Sequence, residues 1–234
     1  MLKNLNVIFD MDGVIFDSER FFLECCIPAA EKAGLEGMRD VAYQCIGLTE
    51  KETEKLLWNK YRDMERLEVF RQELVSAFQA RYQESGFPLK PGVVELLTFL
   101  MDAGAKTAIG SSTRSDTIKE ELHDADLLGY FDVIVGGEMV EASKPEPDLF
   151  LRAAKELGCD SKDCYIIEDS HHGVRAARKA GAKVIMVPDL LPPTEEIRAL
   201  TDWVFHSLLD VREFFLHELQ SVETDVDLER NKYV

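Results

Sequence analysis

Beyond Pro91-Gly92 the chain alternates, with short connections, between brief apolar runs and segments of helical spacing, and this alternation restricts the fold more than any other feature of the sequence. The apolar runs near 106–110, 132–136, 164–168 and 183–187 read as strands, and the segments near 115–124, 147–157 and 173–180 as helices, with Gly158 and Gly181 at helix ends. Ahead of them, Val93, Leu96, Leu97, Leu100 and Met101 form one face of a helix that stops at Gly104, where a C-cap glycine belongs. Trp203-Val204-Phe205 reads as a short sixth strand, followed by a last helix over 208–217. Strands and helices in this rhythm imply right-handed crossovers and a parallel sheet buried on both faces. The expected class is α/β, a Rossmann-like, doubly wound parallel sheet.

The first strand, 5–10, does not obey the rhythm, because the next parallel strand comes only at 105–110, far beyond a normal crossover. Phe21 to Gly86 is rich in Glu, Lys, Arg, Leu and Gln at helical spacing, as in Leu56-Leu57-x-x-x-Tyr61 and Val69-Phe70-x-x-x-Leu74-x-x-x-Phe78. We read it as an inserted α-helical cap over 19–85, hinged near Phe16-Asp17 and Phe87-Pro88, between core segments 1–18 and 86–220. Trp58, Tyr61, Phe70, Phe78 and Tyr82 read as the cap's own core rather than a binding platform. Residues 221–234, charged and poor in apolar side chains, read as a flexible tail.

With 234 residues and a formal charge of −17, the chain is unsuited to nucleic acid or to an anionic membrane surface. It contains no run of ~18 apolar residues that would span a bilayer. The amino terminus passes directly into a strand rather than a signal pattern, so a cytoplasmic location is expected. Five cysteines (Cys25, Cys26, Cys45, Cys159 and Cys164) without C-x-x-C spacing read as reduced structural thiols. An acidic exterior also repels phosphorylated substrates. A chain that handles phosphate must then gather positive charge locally, from a metal ion and a few Lys or Arg.

Three strand ends and one helix start carry ionisable or hydroxyl groups. Val7-Ile8-Phe9 runs into Asp10-Met11-Asp12-Gly13, where two carboxylates two positions apart emerge on one side. Alone, this could be a plain turn, with Asp17-Ser18 capping the next helix. However, Thr107-Ala108-Ile109-Gly110 runs into Ser111-Ser112-Thr113-Arg114, and Lys144-Pro145-Glu146-Pro147-Asp148 opens a helix. Cys164-Tyr165-Ile166-Ile167 ends in Glu168-Asp169-Ser170, followed by His171-His172-Gly173. Ligands of open parallel sheets bind outside the carboxyl ends of the strands, so the four segments can share one site.

Together these segments resemble the haloacid dehalogenase-like hydrolase superfamily over nearly the whole chain. Asp10-x-Asp12-Gly13 matches its first motif, Ser111 its second, Lys144 its third and Glu168-Asp169 its fourth, in the family's order. Three further stretches are similar to the β-phosphoglucomutase-like and phosphatase branch: Gly13-Val14-Ile15-Phe16-Asp17-Ser18-Glu19, Lys144-Pro145-x-Pro147 and Glu168-Asp169-Ser170-x-x-Gly173. A carboxylate held in line with phosphorus needs little activation. Asp10 is therefore the candidate nucleophile, forming an aspartyl-phosphate, and the resemblance assigns Asp12 the role of acid and then base.

Asp10, Glu168, Asp169 and a dianionic phosphate cannot share a poorly solvated pocket without a cation, for which Mg²⁺, a hard ion that prefers oxygen, is the natural choice. The resemblance implies that the Asp10 carboxylate, the Asp12 carbonyl and Asp169 hold it, with Glu168 a further ligand or a partner to one. Lys144 is placed to pair with Asp10 and the phosphoryl oxygens, its alternative being a solvated lysine before a proline-started helix. Ser111 and the amides of Ser112 and Thr113 are candidate hydrogen-bond donors to the phosphoryl oxygens. Ser112, Thr113 and Arg114 are either candidate substrate contacts or an ordinary helix-capping turn. Adjacent His171 and His172 read as solvent-facing or substrate-gating groups rather than metal ligands.

The resemblance implies a Mg²⁺-dependent phosphomonoesterase for a small phosphorylated metabolite, with sugar phosphates among the candidates. The dehalogenase branch lacks an aspartate at the position of Asp12, so carbon–halogen cleavage is not expected. Two alternatives stay open, a hexose-phosphate mutase and a non-catalytic binding protein on the same fold. Mutases of this branch carry a histidine a few residues past the D-S/T-x segment and a cap arginine for the second phosphate. This chain has Phe21-Phe22 and Gly47-Leu48-Thr49-Glu50-Lys51 there, which favours the phosphatase. The expected partner is the metabolite alone, with the chain a monomer or weak homodimer.

Overall fold

β1 (Asn6–Phe9) has no solvent-facing side, since all four of its residues are buried, and it lies inside the sheet with a parallel neighbour on each edge. The computed structural model describes residues 5–45 and 50–218. Six strands are described: β1, β2 (Lys106–Gly110), β3 (Val133–Val135), β4 (Cys164–Glu168), β5 (Lys183–Met186) and β6 (Trp203–Val204). Their order is β3-β2-β1-β4-β5-β6, and every pair is parallel. The chain winds outward from β1 to β3, then returns to lay β4 against the other edge of β1. Strand order thus reverses between β1 and β4, and in open α/β sheets that reversal marks the binding crevice at the carboxyl ends.

The register explains the packing. Ile8 pairs with Ala108 on one side and Ile166 on the other, and Ile166 pairs with Val184. All four belong to one buried cluster with Leu149, Phe150 and Ala153 of α7 (Asp148–Leu157) and Val174 and Ala177 of α8 (His171–Lys179). The two-residue period of a strand sends Val7, Phe9, Ile109 and Ile167 to the opposite face. Each fully buried Leu, Ile or Phe contributes roughly 1.5–3 kcal/mol.

Helix starts follow from caps. α8 begins at His171, two residues before the sequence pattern places it, because the Ser170 hydroxyl accepts the Gly173 amide at 3.0 Å and opens the helix. α5 (Val93–Asp102), α6 (Ser115–Asp124), α9 (Glu195–Leu200) and helical residues 208–218 complete this part of the chain.

By backbone contacts the chain divides into Met1–Ile15 with Leu89–Val234, and Phe16–Pro88. The second unit contains α1 (Ser18–Lys32), α2 (Met38–Cys45), α3 (Glu50–Tyr61) and α4 (Met64–Ser85). Its core joins Cys26, Ala29, Ala30, Met38, Val41, Leu67 and Phe70, and Phe21, Phe78 and Phe87 form an aromatic knot with centroids 5.1–5.7 Å apart. Trp58 departs from the expectation of a core aromatic: it is 38% exposed, with the Arg62 guanidinium 5.6 Å from its ring. Helical spacing assigned it a face, but only packing decides whether that face is covered. The expected tail at 221–234 and Gly47-Leu48-Thr49 lie outside the described residues, as do the side chains of Glu50 and Lys51. Among the described residues no helix is long and apolar enough to cross a membrane, and all five cysteines are free thiols.

Candidate active site

The sheet ladder runs one residue past β1, with the Asp10 amide donating to Ile167 O at 2.9 Å, so the Asp10 side chain leaves the sheet beside the end of β4. The chain then turns at Gly13, whose φ of +79° lies in the left-handed region. A Cβ there would sit 2.3 Å from Asp169 Oδ2, so glycine is required for space as well as for conformation. Asp10, Glu168 and Asp169, all buried, present carboxylate oxygens within 4.8 Å of one another. Lys144, just ahead of α7, joins them: its Nζ lies 2.7 Å from Asp10 Oδ1 and 2.6 Å from Glu168 Oε1.

Glu168 is fully inaccessible, and a buried carboxylate is tolerated only when its lone pairs are satisfied. Oε1 accepts from Lys144, while Oε2 accepts the Asp169 amide, the Ser170 amide and the Ser170 hydroxyl, each at 3.0 Å. A Cβ on Gly173 would lie 1.7 Å from Glu168 Oε1, which explains the glycine three residues beyond Ser170. Glu168 thereby holds Lys144 in place, while the Asp10 and Asp169 carboxylates lie along the same wall.

Burial pushes the Asp10 carboxyl up to about 7; Lys144 pulls it down, but Glu168 and Asp12 push it back. Burial alone would lower the Lys144 ammonium, yet Asp10 and Glu168 outweigh it and keep it raised and protonated. Three carboxylates facing one ammonium leave an excess of negative charge in a dry place, which a divalent cation would offset. The donor set fits such an ion: hard carboxylate oxygens, close together, beside a turn kept free of a side chain by Gly13.

The end of β2 supplies hydroxyls. Ser111 is buried; its amide donates to Val135 O at 3.1 Å, and its Oγ accepts the Thr113 amide at 3.1 Å. The Ser111 O–H is thereby left to donate elsewhere. The Thr113 amide is committed inside the loop, and the Thr113 hydroxyl donates to Asp12 Oδ2 at 3.1 Å. Arg114 directs its guanidinium at Asp116, at 3.2 and 3.0 Å, with 65% of its side chain exposed. His171 Nε2 lies 3.0 Å from Pro192 O and His172 is exposed; neither belongs to an acidic cluster among the described residues.

Two contributors escaped the sequence reading. Glu138, in the short 3-10 turn Gly137–Met139, accepts the Ser115 amide with both oxygens at 3.1 Å and the Ser115 hydroxyl at 2.6 Å. It occupies the start of α6 and ties the end of β3 to the Ser111–Ser115 loop. Glu121 on α6 has a buried Oε2 without a hydrogen-bond partner, and burial, then the charge of Asp12, pushes its carboxyl up to about 7. Its three-residue spacing from buried Ile118 was the available signal, because i and i+3 share a helix face.

Known proteins resemble this chain over most of its length. The family model for haloacid dehalogenase-like hydrolases matches residues 7–187. A Thermotoga maritima protein named phosphorylated carbohydrates phosphatase is 33% identical over 179 residues, covering 76% of this chain and 82% of that one. The bifunctional riboflavin kinase/FMN phosphatase of Arabidopsis thaliana is 31% identical over 214 residues, covering 90% of this chain and 56% of that longer protein. A solved Thermotoga maritima structure described as a candidate β-phosphoglucomutase superposes with a TM-score of 0.76 at 29% identity, covering 93% of this chain and 99% of that one.

Proposed function

For a chain that belongs to the haloacid dehalogenase-like hydrolase family and is a phosphoric monoester hydrolase within it, we propose the hydrolysis of a small phosphorylated carbohydrate through an aspartyl-phosphate on Asp10. The observation that carries this reading is the Lys144 ammonium, buried and 2.7 Å from Asp10, with Asp169 in the same acidic cluster. Asp10 attacks phosphorus while Lys144 neutralises the phosphoryl oxygens and holds the nucleophile in line. The Ser111 hydroxyl donates to a phosphoryl oxygen, with Ser112 beside it. Asp12 gives its proton to the departing alkoxide, then takes one from the water that releases phosphate from Asp10. Asp10, the Asp12 carbonyl and Asp169 would hold Mg²⁺, which when bound supplies positive charge against the transferring phosphoryl group.

The name of the Thermotoga relative supports a carbohydrate phosphate as the substrate. The second Thermotoga protein, described as a candidate mutase, favours phosphoryl return to the sugar as the second reading. Phe21-Phe22, in place of the mutases' histidine, supports hydrolysis over it. A panel of phosphorylated metabolites, assayed for both free phosphate and isomer formation, tests the choice. Phosphate release that is reversibly silenced by EDTA is expected. Isomer formation without phosphate release would replace the reading with the mutase, and full activity in excess EDTA would remove the metal.

A further inference from the structure

We infer that Thr113 is a positioning residue for the acid/base Asp12, fixing the carboxylate by a hydrogen bond rather than contacting the substrate. The inference rests on the phosphatase reading above. Asp12 lies beyond β1 in the turn, half-buried, where strand geometry no longer sets the direction of its side chain. Thr113 Oγ1 donates to Asp12 Oδ2 at 3.1 Å across a separation of 101 residues.

Thr113 is itself held on its remaining polar atoms. Its amide donates to Ser111 Oγ at 3.1 Å, and its carbonyl accepts the Gly137 amide at 3.0 Å. Gly137 approaches so closely that a Cβ would meet Ser112 O at 2.3 Å, and Glu138 clamps Ser115 at the far end of the loop. A β-branched side chain on so constrained a backbone has few χ1 choices, so the hydroxyl is presented in one direction. With Oδ2 accepting from Thr113, the transferable proton belongs on Asp12 Oδ1. It passes to the ester oxygen as the phosphorus–oxygen bond breaks and the Asp10–phosphorus bond forms. Oδ1 regains a proton from water as that water bonds to phosphorus and Asp10 leaves.

The role makes a prediction that a merely structural threonine would not. An alkyl phosphate needs a proton on its leaving oxygen, whereas 4-nitrophenyl phosphate departs as a stable phenolate. Thr113→Val should lower kcat/KM for a sugar phosphate by about 10–100-fold, and for 4-nitrophenyl phosphate by less than about threefold. KM for the sugar phosphate should stay near the wild-type value, and Thr113→Ser, which keeps the hydroxyl, should retain most of the rate. Asp12→Asn should show the same split between esters. Thr113→Ala removes the hydroxyl with a smaller side chain, and serves if the valine variant does not fold by circular dichroism. Equal losses on both esters, a change confined to KM, or no change at all would overturn the inference while leaving the phosphatase reading intact. Absence of phosphate release from either ester by the wild-type protein would overturn both.

Discussion

In the sheet-bearing unit the side chains of Lys144, Asp10 and Glu168 are 8%, 10% and 0% exposed and form a continuous ion-paired chain. In the helical unit, by contrast, the pairs Lys32–Glu73 and Arg71–Glu54 join side chains 34–64% exposed, on helices whose cores are built from Ala, Met, Leu and Phe. The chemistry of the pairs is similar and the surroundings are not. Water screens the second kind to about 0–1 kcal/mol, whereas loss of one partner in a dry site leaves an uncompensated charge. The candidate phosphoryl-transfer groups Asp10 and Lys144 lie where solvent is excluded, whereas these two ion pairs of the helical unit lie on solvated faces.

Three substitutions probe that contrast. Asp10→Asn should reduce phosphate release at least about 10³-fold while the protein keeps a cooperative unfolding transition, because the amide fills the same space without the nucleophile. A wild-type-like rate would detach the buried chain from catalysis. Lys144→Ala should cost about 3–5 kcal/mol in urea denaturation, whereas Arg71→Ala should cost less than about 1 kcal/mol. Equal losses would erase the distinction between the two units.

Glu121, half-buried, gives an effect smaller than that of Lys144 and dependent on pH. A carboxyl whose folded pKa is raised binds its proton more tightly when folded. The folded chain therefore gains below the ordinary value of 4.5, and the gain is lost as pH rises through about 7. Glu121→Gln, which mimics the protonated form, should raise stability near pH 8 by about 1 kcal/mol after solvent screening, and by much less near pH 5. A gain independent of pH would assign the effect to packing instead.

Much of the site was legible without coordinates. Asp10, Ser111 and Glu168 stand at or just past a strand end and Lys144 just ahead of a helix, and such positions show in the alternation of apolar runs with polar groups. Gly13 and Gly173 stood in the motifs, although the carboxylates that forbid a side chain there, Asp169 and Glu168, appear only in three dimensions. Thr113 was legible as a loop hydroxyl but not as the partner of Asp12, and Glu138 had no pattern of its own. The Trp58 spacing was read correctly as helical and incorrectly as buried.

The amino-acid sequence by itself determined the strand and helix segments, the interruption after the first strand and the identity of the ionisable groups at the carboxyl ends. These follow from local periodicity, caps and turn residues, which act over a few positions. Tertiary structure alone decided the order β3-β2-β1-β4-β5-β6, the convergence of Lys144 on Asp10 and Glu168, and the bond from Thr113 to Asp12. Those are contacts between distant segments, made only when the sheet buries both faces and brings three strand ends and the segment ahead of α7 to one edge.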